Sequence, residues 1–170
     1  MTDFQSSLML DPQLDDVRSS LTGGRMVILS ADAFRSLEDG LYKKFSTGAS
    51  VIILEMGISY GSRLFDILDK KAKSSPEADP VSFRSIMQIL FNGGVGKISY
   101  EGDLDSGKEI TFTVSNCAFC GRDTIESNCN LLRGMLAGLM NSLYRRQHKS
   151  NLKCSTENGN HTCKIDLATK

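Results

Sequence analysis

Cys129-Asn130-Leu131-Leu132-Arg133-Gly134-Met135-Leu136-Ala137-Gly138-Leu139 carries the front part of an amphipathic helix. Leu131, Leu132, Met135, Leu139 and Leu143 recur at helical spacing and form its apolar stripe. Gly134 and Gly138 sit four apart on a neighbouring face. Ser127 or Asn128 is the expected N-cap, and the pattern runs to about Arg146. Cys129 then falls in the first turn, where the helix dipole favours thiolate over thiol.

Downstream, Leu152 to Ser155 and Cys163 to Leu167 read as a strand pair, with Asn158-Gly159 as the turn signal between them. Upstream, Val95 to Glu101 and Glu109 to Ser115 read as strands joined by a turn over Asp103 to Lys108. Ile110, Phe112 and Val114 alternate with Thr111, Thr113 and Ser115, the signature of a half-buried antiparallel strand. Asp79-Pro80 predicts a helix start, and Phe83, Ile86, Met87 and Leu90 carry that helix to Gly93-Gly94. The segment from Lys70 to Asp79 reads as a solvated linker.

The first half of the chain predicts two more helices. Ser30 caps one, with Asp32 in its first turn and Phe34, Leu37, Leu41 and Phe45 on one apolar face; Ser46, Thr47 and Gly48 end it. The other runs from about Ala49 to Lys71, with Ile53, Met56, Gly57, Tyr60, Gly61, Leu64 and Leu68 sharing a face. Its two glycines cost roughly 1 kcal/mol each against alanine, which close helix packing or room for a ligand must offset. Arg25 to Leu29 reads as a short strand, and residues 1–24 as a polar arm or short hairpin with turn signals at Asp11-Pro12 and Thr22-Gly23-Gly24. The sum is an α+β domain, an antiparallel sheet of about four strands packed with four helices over residues 25–170.

The chain has 170 residues, with 20 Lys plus Arg against 20 Asp plus Glu, so its formal net charge is zero. That balance argues against a nucleic-acid-binding surface covering the domain, and it favours self-association. The apolar run Val51 to Leu54 stops at Glu55, far short of the roughly 18 residues a membrane span needs. The N-terminus lacks the basic and apolar blocks of a signal peptide, so a cytoplasmic location is expected.

Cysteine usage is lopsided. Residues 1–116 hold none, whereas Cys117, Cys120, Cys129, Cys154 and Cys163 crowd the last 54. An odd count without a signal peptide argues against a disulfide framework and for metal. Pairing of the last two strands brings Cys154 near Cys163, and with Cys129 at the helix start these thiolates suit tetrahedral zinc. A closed site needs a fourth donor. Cys120 is favoured, with Cys117 and His161 as alternatives; His148 lies in the loop after the helix. The competing readings are small buried hydrophobes, or a redox role for Cys117-Ala118-Phe119-Cys120.

Val114-Ser115-Asn116, the stretch Cys129 to Leu139, Cys154, and Cys163-Lys164-Ile165-Asp166-Leu167 resemble the 4-vinyl reductase (4VR) domain family. Gly57-Ile58-Ser59-Tyr60-Gly61-Ser62-Arg63-Leu64 looks like that family's glycine-bearing central helix. The resemblance implies the fold shared with TRAPP vesicle-tethering subunits, frequent homodimers, and an apolar cavity between helices and sheet. It also implies relationship to aromatic-sensing domains of bacterial activators, where phenolic effectors bind beside a zinc site. That site resembles Cys129, Cys154 and Cys163 here. Its usual fourth ligand is a glutamate three residues before the middle cysteine, a position held here by Asn151, a poor zinc donor.

The expected role is therefore a zinc-stabilised sensor of an apolar or aromatic small molecule, acting through a dimer or a regulatory partner protein. Ile53, Met56, Tyr60, Leu64, Phe112, Met135 and Leu139 are the expected pocket lining, with Tyr60 as its polar group. The alternative is a TRAPP-like assembly scaffold without ligand. An enzyme, or an accessory protein of tetrapyrrole vinyl reduction, is less favoured. No nucleotide fingerprint is present, two histidines are thin material for acid–base work, and a closed metal shell leaves no position for substrate.

Overall fold

Ser30 opens the first helix as its sequence predicts: its side chain accepts the backbone N–H of Ala33 at 3.1 Å, and Asp32 follows in the first turn. In the computed structural model, which describes residues 8–11, 16–19, 25–26, 30–74, 81–92, 95–119, 129–157 and 160–170, this helix α1 covers Ala31–Phe45. Helix α2 covers Gly48–Ser74, α3 covers Phe83–Asn92 and α4 covers Asn130–Tyr144. The expected boundary residues Asp79-Pro80, Gly93-Gly94, Ser127, Asn128 and Asn158-Gly159 lie outside the described residues.

The N-terminal arm contains more strand than a hairpin. Strands β1 (Leu8–Asp11), β2 (Asp16–Ser19) and β3 (Arg25–Met26) form a three-stranded antiparallel sheet. Residues 27–29, the rest of the expected strand, lie outside the described residues.

The second sheet holds β4 (Lys97–Gly102), β5 (Glu109–Ser115), β6 (His148–Glu157) and β7 (Asn160–Thr169) in the order β4-β5-β7-β6, every neighbour antiparallel. Strands β6 and β7 run ten residues each, well beyond the short segments expected around their cysteines. The reason is pairing. β7 is flanked on both sides, so ladder hydrogen bonds extend it through residues whose local pattern is polar.

The inner face of this sheet carries Ile98, Ile110, Phe112, Val114, Cys163, Ile165 and Leu167, all buried. They join Ile86, Met87 and Leu90 of α3 and Leu132, Leu136, Leu139 and Met140 of α4 in one core. Burying each such side chain contributes about 1.5–3 kcal/mol.

Helix α2 packs along α4 through glycines from both sides. A Cβ on Gly57 would meet the Leu131 carbonyl oxygen at 2.3 Å, and one on Gly61 the Met135 carbonyl oxygen at 2.1 Å. Reciprocally, a Cβ on Gly134 would meet the Leu54 oxygen at 2.2 Å, and one on Gly138 the Ile58 oxygen at 2.2 Å. The glycines therefore serve backbone-to-backbone approach, and no ligand space opens over them.

This approach also corrects the face expected for α2. Ile53, Gly57 and Gly61 are buried, whereas Met56 and Tyr60 are 50% and 58% exposed. The glycine row is the contact line, so residues one position before each glycine swing outward.

Helix α1 is rotated partway from its expected orientation: Phe34 and Leu41 of the apolar stripe stay half-buried, but its other two residues do not. Glu38 is its buried residue at 8% exposure, while Leu37 and Phe45 of the apolar stripe stand 59% and 47% exposed. Arg35, Glu38 and Tyr42, spaced three and four apart, form an equally regular polar row, and tertiary packing turned in the face between the two rows.

Candidate metal centre

Three elements deliver four sulfurs to one end of the sheet. Strand β5 ends at Ser115, and Asn116 takes a left-handed backbone (φ 55°) that asparagine tolerates better than most residues. Its N–H donates to the His161 carbonyl at 2.9 Å, and the Ala118 N–H donates to the Val95 carbonyl at 2.9 Å. Between these anchors Cys117 is buried.

Cys129 is the N-cap of α4, one position ahead of its expected place in the first turn. It makes no side-chain cap hydrogen bond, so its sulfur is turned to the cluster and not to the helix backbone. The third element is the hairpin: Cys154 on β6 pairs directly with Cys163 on β7, and Cys163 pairs with Val114 on β5. Alternation of the pleat turns Cys163 inward with Ile165 and Leu167.

The sulfurs converge. Cys117 Sγ lies 3.2 Å from Cys129 Sγ, Cys129 Sγ 2.9 Å from Cys163 Sγ, and Cys154 Sγ 2.8 Å from Cys163 Sγ. The donor atoms of Cys117, Cys129 and Cys163, all buried, lie within 4.8 Å of one another. These three residues are close enough to bind a metal ion. The separations exceed a disulfide bond of about 2.05 Å. They fall below the roughly 3.8 Å edge of a tetrahedron with metal–sulfur bonds of about 2.3 Å. Thiolates opening by about 1 Å or less would accept such an ion.

The other expected donors fare differently. Cys120 lies outside the described residues. His161 hydrogen-bonds through Nδ1 to Thr156 Oγ1 at 2.9 Å and is not in the close donor group. His148 is buried at the far end of β6, with Nδ1 2.9 Å from Asn141 Oδ1 and Nε2 2.7 Å from the Gly107 carbonyl. Six residues of strand separate it from Cys154, about 20 Å. It is a structural clamp between α4 and the β4–β5 turn. Asn151 is exposed and pairs with Asp166.

Helix α1 closes over this end with residues of both its rows. Phe34 meets Phe119 edge-on at 5.3 Å, and Arg35 Nη2 donates to the Ala118 carbonyl at 3.4 Å. The Glu38 carboxyl is pushed up to about 7, first by burial and then by the negative charges of Asp39 and Cys117, against a smaller pull from Arg35. Sequence reading missed Glu38 because the apolar stripe of α1 was the stronger signal. Its spacing from Arg35 and Tyr42 was the available clue.

The expected pocket residues do not line one cavity wall. Ile53, Phe112, Met135 and Leu139 are packed in the interior, with Phe112 stacked on Phe83 at 6.1 Å. Leu64 is partly buried against the core, and Met56 and Tyr60 face outward.

No protein-family model matches the sequence, and no curated protein matches it. Solved structures do. The phenol-responsive sensory domain of the transcription activator PoxR, with phenol, superposes with a TM-score of 0.65 at 14% identity, covering 97% of this chain and 86% of that one. The fold is that of the vinyl-4-reductase and TRAPP proteins. A vinyl-4-reductase family protein from Methanocaldococcus jannaschii gives a TM-score of 0.54 at 14% identity over 85% of this chain and 84% of that one. A trafficking protein particle complex subunit 3 from Naegleria fowleri, covalently bound to palmitic acid, gives 0.57 at 15% identity over 82% and 92%. Among the described residues, the four-stranded antiparallel sheet with four helices agrees with the α+β architecture expected from the sequence.

Proposed function

We propose that this chain is a small-molecule-sensing domain whose C-terminal half is held together by a structural zinc ion. The observation that carries this is the convergence of three buried cysteines, Cys117, Cys129 and Cys163, at one end of the sheet, with Cys154 Sγ beside Cys163 Sγ. Thiolate donors are the chemistry zinc selects in structural sites. Such an ion would tie the front of α4 to the β6–β7 hairpin and the end of β5. Cys117 supplies the fourth donor that the Asn151 position lacks. A site closed by four protein ligands binds and braces; it does not activate substrate. The role is accordingly binding, not catalysis.

Sensing is supported by the fold shared with a phenol-responsive sensory domain and with a palmitate-carrying subunit. One neighbour holds phenol and the other palmitic acid, molecules that are mostly hydrocarbon, so an apolar or aromatic ligand is the class proposed. The protein acts in a reducing compartment, the cytoplasm, where thiolates stay available to metal.

The output runs through a homodimer or a regulatory protein partner. Leu37 and Phe45 on α1 and Val51, Ile52, Met56 and Tyr60 on α2 are large apolar side chains exposed on adjoining helices. Such a concentration marks an interaction surface, and with no net charge on the chain a second copy is not repelled. The same surface supports the scaffold reading, in which partners and not ligands are bound.

Elemental analysis of purified protein tests the metal: about one zinc per chain is expected, lost in Cys154→Ser together with cooperative folding. Native mass spectrometry tests the ligand. A co-purified small molecule supports sensing, and protein free of any ligand under native conditions, with none taken up from a phenolic panel, favours the scaffold.

A further inference from the structure

Arg133 stands in the second turn of α4, on the side facing α1. Its Nε is buried and has no hydrogen-bond partner among the described residues. The ion pairs among the described residues join Arg35 to Asp32, Lys73 to Asp69 and Lys164 to Glu101, and leave Arg133 out. Burial pushes the guanidinium down from its usual range, and its one opposing influence is Tyr42, a phenol. A half-buried arginine with no acid beside it among the described residues carries a desolvation cost at Nε that no hydrogen bond there offsets.

Its neighbours are donors as well. Asn130 is buried, and its Nδ2 donates to the Tyr42 hydroxyl at 3.4 Å. That leaves the Tyr42 proton available to donate in turn. The α1–α4 contact thus gathers a guanidinium N–H without an acceptor among the described residues and, beside it, a phenolic O–H whose oxygen already accepts from Asn130. The chemical complement of such a set is an anionic oxygen, most simply a carboxylate.

Resting on the small-molecule role proposed above, we propose that Arg133, with Tyr42, binds the carboxylate of the ligand, so that the molecule sensed is an aromatic or aliphatic acid and not a neutral phenol. This class differs from the phenol seen with the PoxR domain. It is argued from residues of this chain alone.

The test is calorimetric titration of the zinc-loaded full chain with benzoate and with benzyl alcohol, its neutral near-isostere. A charge-assisted hydrogen bond to a partly desolvated arginine predicts that benzoate binds at least about tenfold tighter. Arg133→Met should abolish that preference. It should also raise the melting temperature of the ligand-free protein, because an unpaired charge has been replaced by an apolar side chain of similar length. Tyr42→Phe should weaken benzoate by a smaller factor. Equal affinities for the two probes in the wild type would overturn the carboxylate assignment while leaving an apolar sensor intact. So would benzoate binding unchanged in Arg133→Met. Failure of both probes to bind would also overturn it. The wild-type comparison decides the matter even where a variant does not fold.

Discussion

Gly61→Ala offers the sharpest measure of how α2 and α4 are joined. A Cβ at Gly61 would stand 2.1 Å from the Met135 carbonyl oxygen and 3.0 Å from the Leu139 nitrogen, both backbone atoms. Ordinary contact begins at 3.4 Å, so the helices must part locally by about 1.3 Å (3.4 minus 2.1). No side chain can rotate away to relieve the clash. Overpacking of this kind costs about 1–3 kcal/mol and occasionally more, and the rigid backbone neighbours put Gly61 at the upper end. The helix-propensity gain of about 1 kcal/mol offsets only part. Net destabilisation of about 2 kcal/mol or more is expected, a fall in melting temperature of roughly 4–8 °C for a chain of this size. Gly40→Ala is the internal control. Gly40 lies in α1 with nothing within 4 Å of its would-be Cβ, so the same substitution should stabilise by about 1 kcal/mol. Urea denaturation of both variants followed by circular dichroism reads the two signs. If Gly61→Ala were neutral or stabilising, the helices would not be in backbone contact, and the space over the glycines would be open to a ligand after all.

Further outcomes follow from the cluster and the surface. Cys117→Ser should release most of the bound zinc, read by a colorimetric chelator, whereas Asn151→Ala should retain it; zinc kept by Cys117→Ser and lost by Cys120→Ser would move the fourth donor to Cys120. The Glu38 carboxyl is raised from 4.5 to about 7, so the folded state holds its proton longer than the unfolded chain does. The contribution of Glu38 to stability is therefore full below about pH 4.5 and is lost as pH rises through about 7. Glu38→Gln should flatten that fall between pH 5 and 8 in thermal melts, and an unchanged slope would show that another group titrates. Val51→Asp with Tyr60→Asp should convert a dimer to a monomer in analytical ultracentrifugation without lowering the melting temperature of the monomer. A dimer that survives both changes uses a different surface.

The pattern of side chains was sufficient to read the sheet of β4 and β5, because Ile110, Phe112 and Val114 alternate at strand period and one face is buried. It was sufficient for α1 as a helix, because Ser30 supplies a local cap, but not for which face of α1 is buried. Two stripes on α1 have helical spacing, and only the partner decides between them. The partner is the loop Cys117–Phe119, whose Ala118 carbonyl takes the Arg35 guanidinium and whose Phe119 ring takes Phe34, so the face between the two stripes turned in.

The cysteines show the same division. The hairpin is a local property, and it placed Cys154 beside Cys163 in the sequence; the meeting of Cys129 with Cys163, 34 residues apart, is a tertiary contact. Whether Cys117 joins them depends on the left-handed turn at Asn116 and on its anchors to His161 and Val95, both distant in sequence. The glycines of α2 and α4 could mean packing or space until the helices were seen face to face. Local chemistry settles what an element is. Which side it shows, and to what, is set by contacts between segments that the linear pattern does not bring together.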